Sequence, residues 1–547
     1  MSEKSDTVHE TQKFGGSILR SLSISEDYEA GAEHKAKNPF ADPEAAERWR
    51  KVYEASNYEN LPWYDPDFTW TKEEERRLVR KLDLRIFSWV FVMFCALDLV
   101  RRNVTRAVSD NFLKDLGMSN SGYNLGQTIY LVSFLCAELP LNIVSKRFGP
   151  ERVIPFQMLA WSIVCICQAG LKTRAQFIGT RALLGFCQGG FIPDQILYLS
   201  YFYTGIDLPL RLAVFWVAIP LFQILGSLLA SGITQMRGIH GLAGWQYLFI
   251  IEGFLSLGVA VPSFYFMRGG PTLTQNRFFK GRKKWFNERE EKILVNRVLR
   301  DDPTKGDMNN RQPVSLKQIV LTVSQPDYWP LLIQGIMAFI PFQPVSQYIS
   351  LILKNMGYST FLSNVLAIPG QFWFLINLPL VVGFSHLIKE KSISTGMSNI
   401  FIFPFVVALV AYPNTGNNWV KYVLLTGITS QPYTHAILAA WISRISYNVG
   451  SRAVATATYN MMYQIGSIIA ANIYRDSDKP YYDRGNKIIL GITCFNIVFA
   501  IFTKFYYILR NRQKEAKWNS LTPEEQRVYL ETTTDLGIRR LDFRFVH

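Results

Sequence analysis

The sequence predicts an all-α membrane protein with twelve transmembrane helices in two six-helix halves. Three observations predict it. Hydrophobic residues make up 49% of the chain and charged residues only 18%, where a soluble domain carries about 25% charge. The charges gather in blocks, and about twelve apolar runs lie between them, each near the roughly 20 residues that cross a hydrocarbon core. A long polar segment divides the runs six and six. Backbone amides in hydrocarbon must be paired internally, so helices rather than open strands span.

The elements follow in order. Residues 1 to about 70 are polar and rich in Ser, Glu, Asp and Ala, the composition of a disordered tail. Met1-Ser2-Glu3-Lys4 opens no charged-then-apolar signal, so the first apolar run is expected to insert and leave the amino terminus in the cytoplasm. Thr71-Lys72-Glu73-Glu74 is a capping box, in which hydroxyl and carboxylate satisfy free amides at a helix start. A basic stretch, Arg76 to Arg85, leads into the first run. The first six runs are 84–106, 121–144, 153–171, 176–200, 211–235 and 246–267. In the polar segment that follows, Asn287-Glu288-Arg289-Glu290 starts an amphipathic stretch to Leu299, expected as a short surface helix. The second six are 328–353, 360–385, 394–412, 419–442, 452–474 and 487–509. In the basic tail, Thr522-Pro523-Glu524-Glu525 caps a last helix with Pro at its first position. The expected organisation is a largely disordered cytoplasmic tail 1–80, halves 81–267 and 328–510 around a cytoplasmic loop 268–327, and a cytoplasmic tail 511–547.

The net charge is +15. Lys and Arg flank the apolar runs, which favours control of topology over nucleic-acid binding. Lys146, Arg147, Arg152, Lys389, Lys391, Arg444, Arg452 and the loop residues Arg282, Lys283, Lys284, Arg297 and Arg300 fall on one side. The positive-inside rule therefore places both termini in the cytoplasm. Lys172, Arg174, Arg237, Arg475 and Arg484 run against it. The six cysteines, Cys95, Cys136, Cys165, Cys167, Cys187 and Cys494, all sit in apolar runs without metal-ligand spacing, as small apolar fillers. No Gly-rich phosphate loop, G-x-S-x-G or H-E-x-x-H occurs. The reading is a non-enzyme with no cofactor and no metal.

Ionised groups inside spans are expensive and mark wet cavities or partners. The first run carries Asp98, Arg101, Arg102 and Asn103, with Asp98 three and four residues before the arginines. Two readings stand: an outer-end cap with snorkelling arginines, or an anion site tuned by Asp98, since an Arg fork suits carboxylate, sulfonate or sulfate oxygens. The second run carries Glu138 before Pro140, either packing at a kink or serving transport. The fourth carries Arg181, Gln188 and Asp194, with Gly185, Gly189 and Gly190 thinning the helix for close packing. The sixth carries Glu252. The seventh carries Gln334, Gln343, Gln347 and Tyr348 around Pro341 and Pro344, a broken helix of the kind that exposes backbone to a substrate cavity. The tenth carries Gln431, Pro432, Tyr433 and His435. His435 is either hydrogen-bonded structure or a proton carrier.

These motifs resemble the major facilitator superfamily, in the fungal anion:cation symporter branch with the allantoate and vitamin permeases. The resemblance covers about residues 60 to 547. It rests on Val100-Arg101-Arg102-Asn103-Val104-Thr105-Arg106-Ala107, on Glu138 to Asn142, and on Arg181, Gly185, Gln188, Gly189, Gly190, Pro193 and Asp194. Gly244 to Gly253, Trp441 to Arg452 and Arg475 to Gly485 add to it. Asp98 to Arg101, Gln188 to Asp194 and the tail Arg540 to Phe545 are most similar to yeast carriers of sulfonates and inorganic sulfur anions. The resemblance implies a major facilitator fold and a secondary active, proton-coupled importer working by alternating access. It implies a small anionic substrate, protons and the lipid bilayer as partners, and the plasma membrane as location, with endoplasmic reticulum or vacuole as alternatives. Carried over, Arg101 and Arg181 bind the anion. Asn103, Gln188, Gln343 and His435, polar groups within the runs, are the further substrate-binding candidates. The family's carboxylates do not carry over, since Val100 and Gln188 stand there. Either Asp98, Glu138 or Asp194 replaces them, or the substrate brings its own proton. The rival readings are a permease for an organic carboxylate such as allantoate or a vitamin, and a non-transporting nutrient receptor.

Overall fold

The computed structural model describes residues 38–545 apart from 206, 275–283, 307–315, 389, 414–415, 447–448, 480 and 533–536. The described parts of 1–71 and 288–309 form one compact unit, and those of 72–287 and 310–547 form a second. Among the described residues there is no strand.

In the smaller unit, Asp42 caps the helix Pro43–Ala55 by accepting the Glu44 N–H at 3.2 Å. Tyr53 packs among Phe40, Tyr58, Val295 and Leu299, and its hydroxyl donates to the Pro303 carbonyl at 3.0 Å. The helix Glu288–Asp301 starts at the residue after Asn287, where the sequence places it. Its Asn296 donates to the Trp63 carbonyl at 2.9 Å, and Lys292 lies 2.6 Å from Asp65. The Lys292 hydrogen bond holds the Asp65 carboxyl below its ordinary value. This corrects the expectation of a largely disordered tail for residues 38–71. Six aromatics (Phe40, Trp49, Tyr53, Tyr58, Trp63 and Tyr64) bury a core there once the helix 288–301 supplies the facing surface. Average composition over 1–70 concealed that local cluster. Residues 1–37 lie outside the described residues, as do Arg282, Lys283, Lys389 and the Arg452 side chain.

In the larger unit, Lys72–Leu82, a π turn Asp83–Phe87 and Ser88–Ala107 run on as one helix, whose last part is the first span. The rest of the first half is Asn120–Phe148, Pro150–Cys167, Arg174–Gln188 with Phe191–Ser200, Asp207–Ile233 and Gly244–Phe266. The second half is Trp329–Met337 with Gln343–Asn355, Thr360–Val365 with Ile368–Ile388, Ser392–Ala411, Asn418–Thr429 with His435–Ile445, Val449–Ala471 and Asp483–Asn519. All twelve expected runs fall on helices, with the fourth, seventh, eighth and tenth each built from two. In the tail, Thr522 and Glu525 close the expected cap before Pro523–Thr532, with Thr522 N donating to the Glu525 carboxylate at 2.7 Å.

Among the described residues, seven helices are long and apolar enough to cross a membrane unaided. The first, fourth, seventh, tenth and eleventh spans are not among them. The first carries Asp98, Arg101, Arg102 and Arg106. The fourth breaks at Gly189–Gly190, the seventh at 338–342 and the tenth at 430–434. Outside, large apolar side chains such as Phe186, Phe254, Val498 and Phe505 stand exposed, as a lipid-facing surface requires.

The fifth span packs on the eighth and the second on the eleventh, forming two seams between the halves. Glycines set the closest approaches. A Cβ on Gly185 would lie 2.2 Å from the Tyr130 carbonyl, and one on Gly466 2.0 Å from that of Ile336. The second and fourth spans, and the seventh and eleventh, therefore touch backbone to backbone.

The end of the bundle where the first span starts is termed proximal, the other distal. Hydrogen bonds join the halves at the distal end. Lys354 donates to the Ser109 carbonyl at 2.6 Å and to Asn111 at 2.8 Å. Asp476 accepts from the backbone N–H groups of Asn120 (3.1 Å) and Ser121 (2.7 Å) and from the Ser121 hydroxyl (3.0 Å). Asn124 donates to the Tyr474 carbonyl at 2.8 Å and accepts from the Tyr348 hydroxyl. Arg237, which the charge rule sets on the wrong side, is held by Asp110 at 3.1 Å and Asp115 at 2.9 Å. Its charge is compensated locally.

Candidate substrate cavity

Between the halves lies a cavity with about 1080 Å³ of space free of protein atoms, open mouth included. Spans one, two, four and five line it from the first half, and seven, eight, ten and eleven from the second. Its charged lining is Arg101, Arg102, Arg181 and Asp98, three guanidiniums against one carboxylate.

Asp98 and Arg102 satisfy each other within one helix, Arg102 Nε to Asp98 at 2.8 Å, as their spacing of four allows. With its amide oxygen turned toward Arg102, Gln223 accepts from that guanidinium at 2.9 Å and donates to Gln371 across the fifth–eighth seam. Arg101 is left facing the cavity. It donates to Gln464 of the other half at 3.4 Å and lies 5.3 Å from the Phe134 ring.

Arg181 is fully buried at the wall. Nη2 donates to Gln127 at 2.5 Å, and the guanidinium lies 4.2 Å from the Tyr130 ring centre. Nε and Nη1 have no hydrogen-bond partner among the described residues. Gly185 brings the second span close enough for Tyr130 to reach both Arg181 and Gln188, to which its hydroxyl donates at 2.6 Å. A buried guanidinium with two free donors is costly unless an anion or water meets it.

The opposite wall is aromatic. His435 sits among Trp216, Tyr433, Tyr459 and Tyr463, with centroids 4.7–5.5 Å away, and its Nδ1 pairs with the Tyr459 hydroxyl at 2.9 Å. Gln343 also lines the cavity and donates to Ser467 at 2.8 Å.

Of the residues singled out in the sequence, Asp98, Arg101, Arg181, Gln343 and His435 therefore meet on one cavity. Asn103, Gln188, Glu138 and Asp194 stand behind its wall. Asn103 donates to Cys165 at 3.2 Å. Gln188 accepts from the hydroxyl of Tyr130, which lines the cavity. Asp194 accepts from Asn142 at 3.1 Å. Glu138 accepts from Asn460 of the other half at 2.6 Å. Glu252 faces Arg106 at 3.5 Å inside the first half, where Gly226 leaves room for the guanidinium. Sequence reading missed Gln127, Gln223, Asn460 and Gln464. The available signal was a strongly polar amide within an apolar run, the same signal used for the charges.

Two six-helix halves around a central polar cavity, with an apolar exterior, are the build of a membrane transporter. The sequence model of the Major Facilitator Superfamily matches residues 90–471, and the chain belongs to that superfamily. It is 64% identical over 527 residues to "Uncharacterized transporter YIL166C" of Saccharomyces cerevisiae, covering 96% of this chain and 97% of that one. It is 24% identical over 480 residues to "MFS-type transporter cnsO" of Penicillium expansum, covering 86% and 90%. Among solved structures, a D-xylose-proton symporter matches with a TM-score of 0.55 at 14% identity, covering 78% of this chain and 97% of that one. A partially occluded inward-open conformation of the xylose transporter XylE from E. coli matches at 0.56 and 14%, covering 79% and 98%. At those identities the likeness concerns the fold.

Proposed function

We propose that the chain imports a small anion by proton-coupled alternating access, with sulfonates or inorganic sulfur anions favoured. The observation that carries this reading is Arg181, buried at the wall of a central cavity with Nε and Nη1 unpartnered. Arg101 adds a second charge, whereas Arg102 is already matched by Asp98. The cavity's surplus of cations selects anions, and forked donors suit sulfonate, sulfate or carboxylate oxygens. Import of an anion against an inside-negative potential costs about 2.3 kcal/mol per charge per 100 mV, which a co-transported proton offsets. In this reading the protein works in the plasma membrane with both termini cytoplasmic, which the Lys and Arg on one side of the spans support.

The test is growth and labelled uptake in a transporter-deficient yeast, offered sulfate, sulfonates and carboxylates over a range of external pH. Uptake of a sulfur anion that rises as external pH falls is expected, and Arg101→Ala at equal surface expression should abolish it. Normal uptake by that variant sinks the site. Signalling without accumulated label would instead mark a receptor.

A further inference from the structure

We propose that Glu138 carries the coupled proton, and that Asn460 links its protonation to the movement of the halves. The inference rests on the anion-import reading above and deepens it.

The buried carboxylates of the spans differ in where their partners lie. Asp98 is bonded to Arg102 on its own helix, Asp194 to Asn142, and Glu252 to Arg106. All three partners belong to the first half, so rigid rocking of the halves leaves these bonds intact. Glu138 alone among these four is bonded across the second–eleventh seam, through Asn460 Nδ2 to Oε1. It is 1% exposed, and its Oε2 has no hydrogen-bond partner among the described residues.

That arrangement suits a carboxylic acid. The acid's carbonyl oxygen still accepts from Asn460, whereas a carboxylate would hold charge on an oxygen that nothing meets. Arg101 on the first span and Asp194 on the fourth are the charged groups in electrostatic reach, and Asn460 on the eleventh is neutral. Asn460 also connects Glu138 to the substrate region. It lines the cavity, and one helical turn further Gln464 accepts from Arg101. When the halves part, Asn460 withdraws, water reaches Oε2 and the proton leaves to that water. When the seam closes, the carboxylate must first take a proton from water. One O–H bond breaks and one forms, and nothing else changes.

The test uses the purified full chain in proteoliposomes, with 35S-sulfate in one arm and a 35S-labelled two-carbon sulfonate in the other. Three quantities are read: accumulation driven by an imposed pH gradient, exchange against the same unlabelled anion without a gradient, and the infrared band of a protonated carboxyl. Glu138→Gln, which keeps the Asn460 bond, should lose gradient-driven accumulation and the band while keeping exchange. Asn460→Ala touches the cavity wall as well, so it is read as a ratio: gradient-driven accumulation should fall further than exchange does. Unchanged accumulation or an unchanged band in Glu138→Gln overturns the inference. Loss of exchange together with accumulation in both variants overturns it too, since that marks a bond needed only for structure. A wild-type chain that moves neither probe overturns the anion reading instead, and the band still decides whether Glu138 holds a proton.

Discussion

Arg181→Met separates a binding role for this arginine from a structural one, because the two predict opposite readouts. The substitution removes the hydrogen bond to Gln127 at 2.5 Å and the contact with the Tyr130 ring at 4.2 Å. Those are worth about 1.5–3 kcal/mol and about 2 kcal/mol when desolvated. It also removes a buried charge with two unpartnered donors, a penalty of several kcal/mol. The contributions nearly cancel, so folded yield and thermal midpoint should stay close to wild type. Transport should not. Two charge-assisted hydrogen bonds to an anion, about 1.5–3 kcal/mol each, amount to about 10²–10⁴-fold in affinity. Arg181→Lys keeps the charge but not the fork and should lose about 10–100-fold. The assay is initial uptake against substrate concentration at matched surface expression. A methionine variant with half-saturation within about threefold of wild type, under about 0.7 kcal/mol, refutes the reasoning. So does a loss of uptake that merely tracks a loss of folded protein.

Other expectations follow from the same physics. Glu252→Gln strands Arg106, and breaking a buried pair costs about 3–5 kcal/mol; the thermal midpoint in detergent should drop, and Arg106→Met with Glu252→Met should restore most of it. Asp476→Ala removes bonds that hold the distal end shut, and amide exchange at Asn120 and Ser121 should speed up by about 10–100-fold, from about 1.5–3 kcal/mol. Burial pushes the Asp476 carboxyl up, but Lys479 and the Ser121 donors outweigh this and hold it down to about 2. A depressed carboxyl stabilises above its free value, about 3.9, so distal closure should hold at neutral pH and weaken as pH falls below about 4 toward 2. Tyr53→Ala empties the centre of the small unit at a cost of about 3–5 kcal/mol, by the scale for large aromatics; limited proteolysis within residues 38–71 should accelerate.

Twelve spans and their order were legible because hydrocarbon thickness sets helix length and water-avoiding runs show it directly. Arg101 and Arg181 were legible because an ionised group in such a run needs a reason. The pairing of Asp98 with Arg102 rather than Arg101 was not, since residues three and four apart are both neighbours on a helix; Arg102 is also held by Gln223 on the fifth span, whereas Arg101 reaches Gln464 of the other half. Nor could the sequence tell that Glu138 meets the other half while Asp194 stays within its own. Both are carboxylates in apolar runs, and only the packing of the second span on the eleventh separates them. The folded segment 38–71 was hidden for a similar reason. Its core is completed by residues more than 200 positions away, such as Val295 and Leu299.

The spans that composition recognises least well all line the cavity, alongside the second, fifth and eighth, which stay apolar enough to span unaided. The third, sixth, ninth and twelfth spans contribute no residue to the cavity wall, and each is apolar enough to span unaided. The first, fourth, seventh, tenth and eleventh do contribute, and each fails that standard. A wall that binds a polar solute must carry amides, guanidiniums and freed backbone groups, which hydrocarbon tolerates only where protein or a cavity meets them. The apolar peripheral helices supply that shelter on the lipid side. Loss of apolarity and breaks at Gly189–Gly190, 338–342 and 430–434 are therefore the marks of the working surface, and the two seams beside it are where movement must be accommodated. Polar bonds cross both seams, Gln223 with Gln371 in one and Glu138 with Asn460 in the other. Parting the halves must break such bonds, so whatever stabilises their broken ends sets which conformation the transporter occupies.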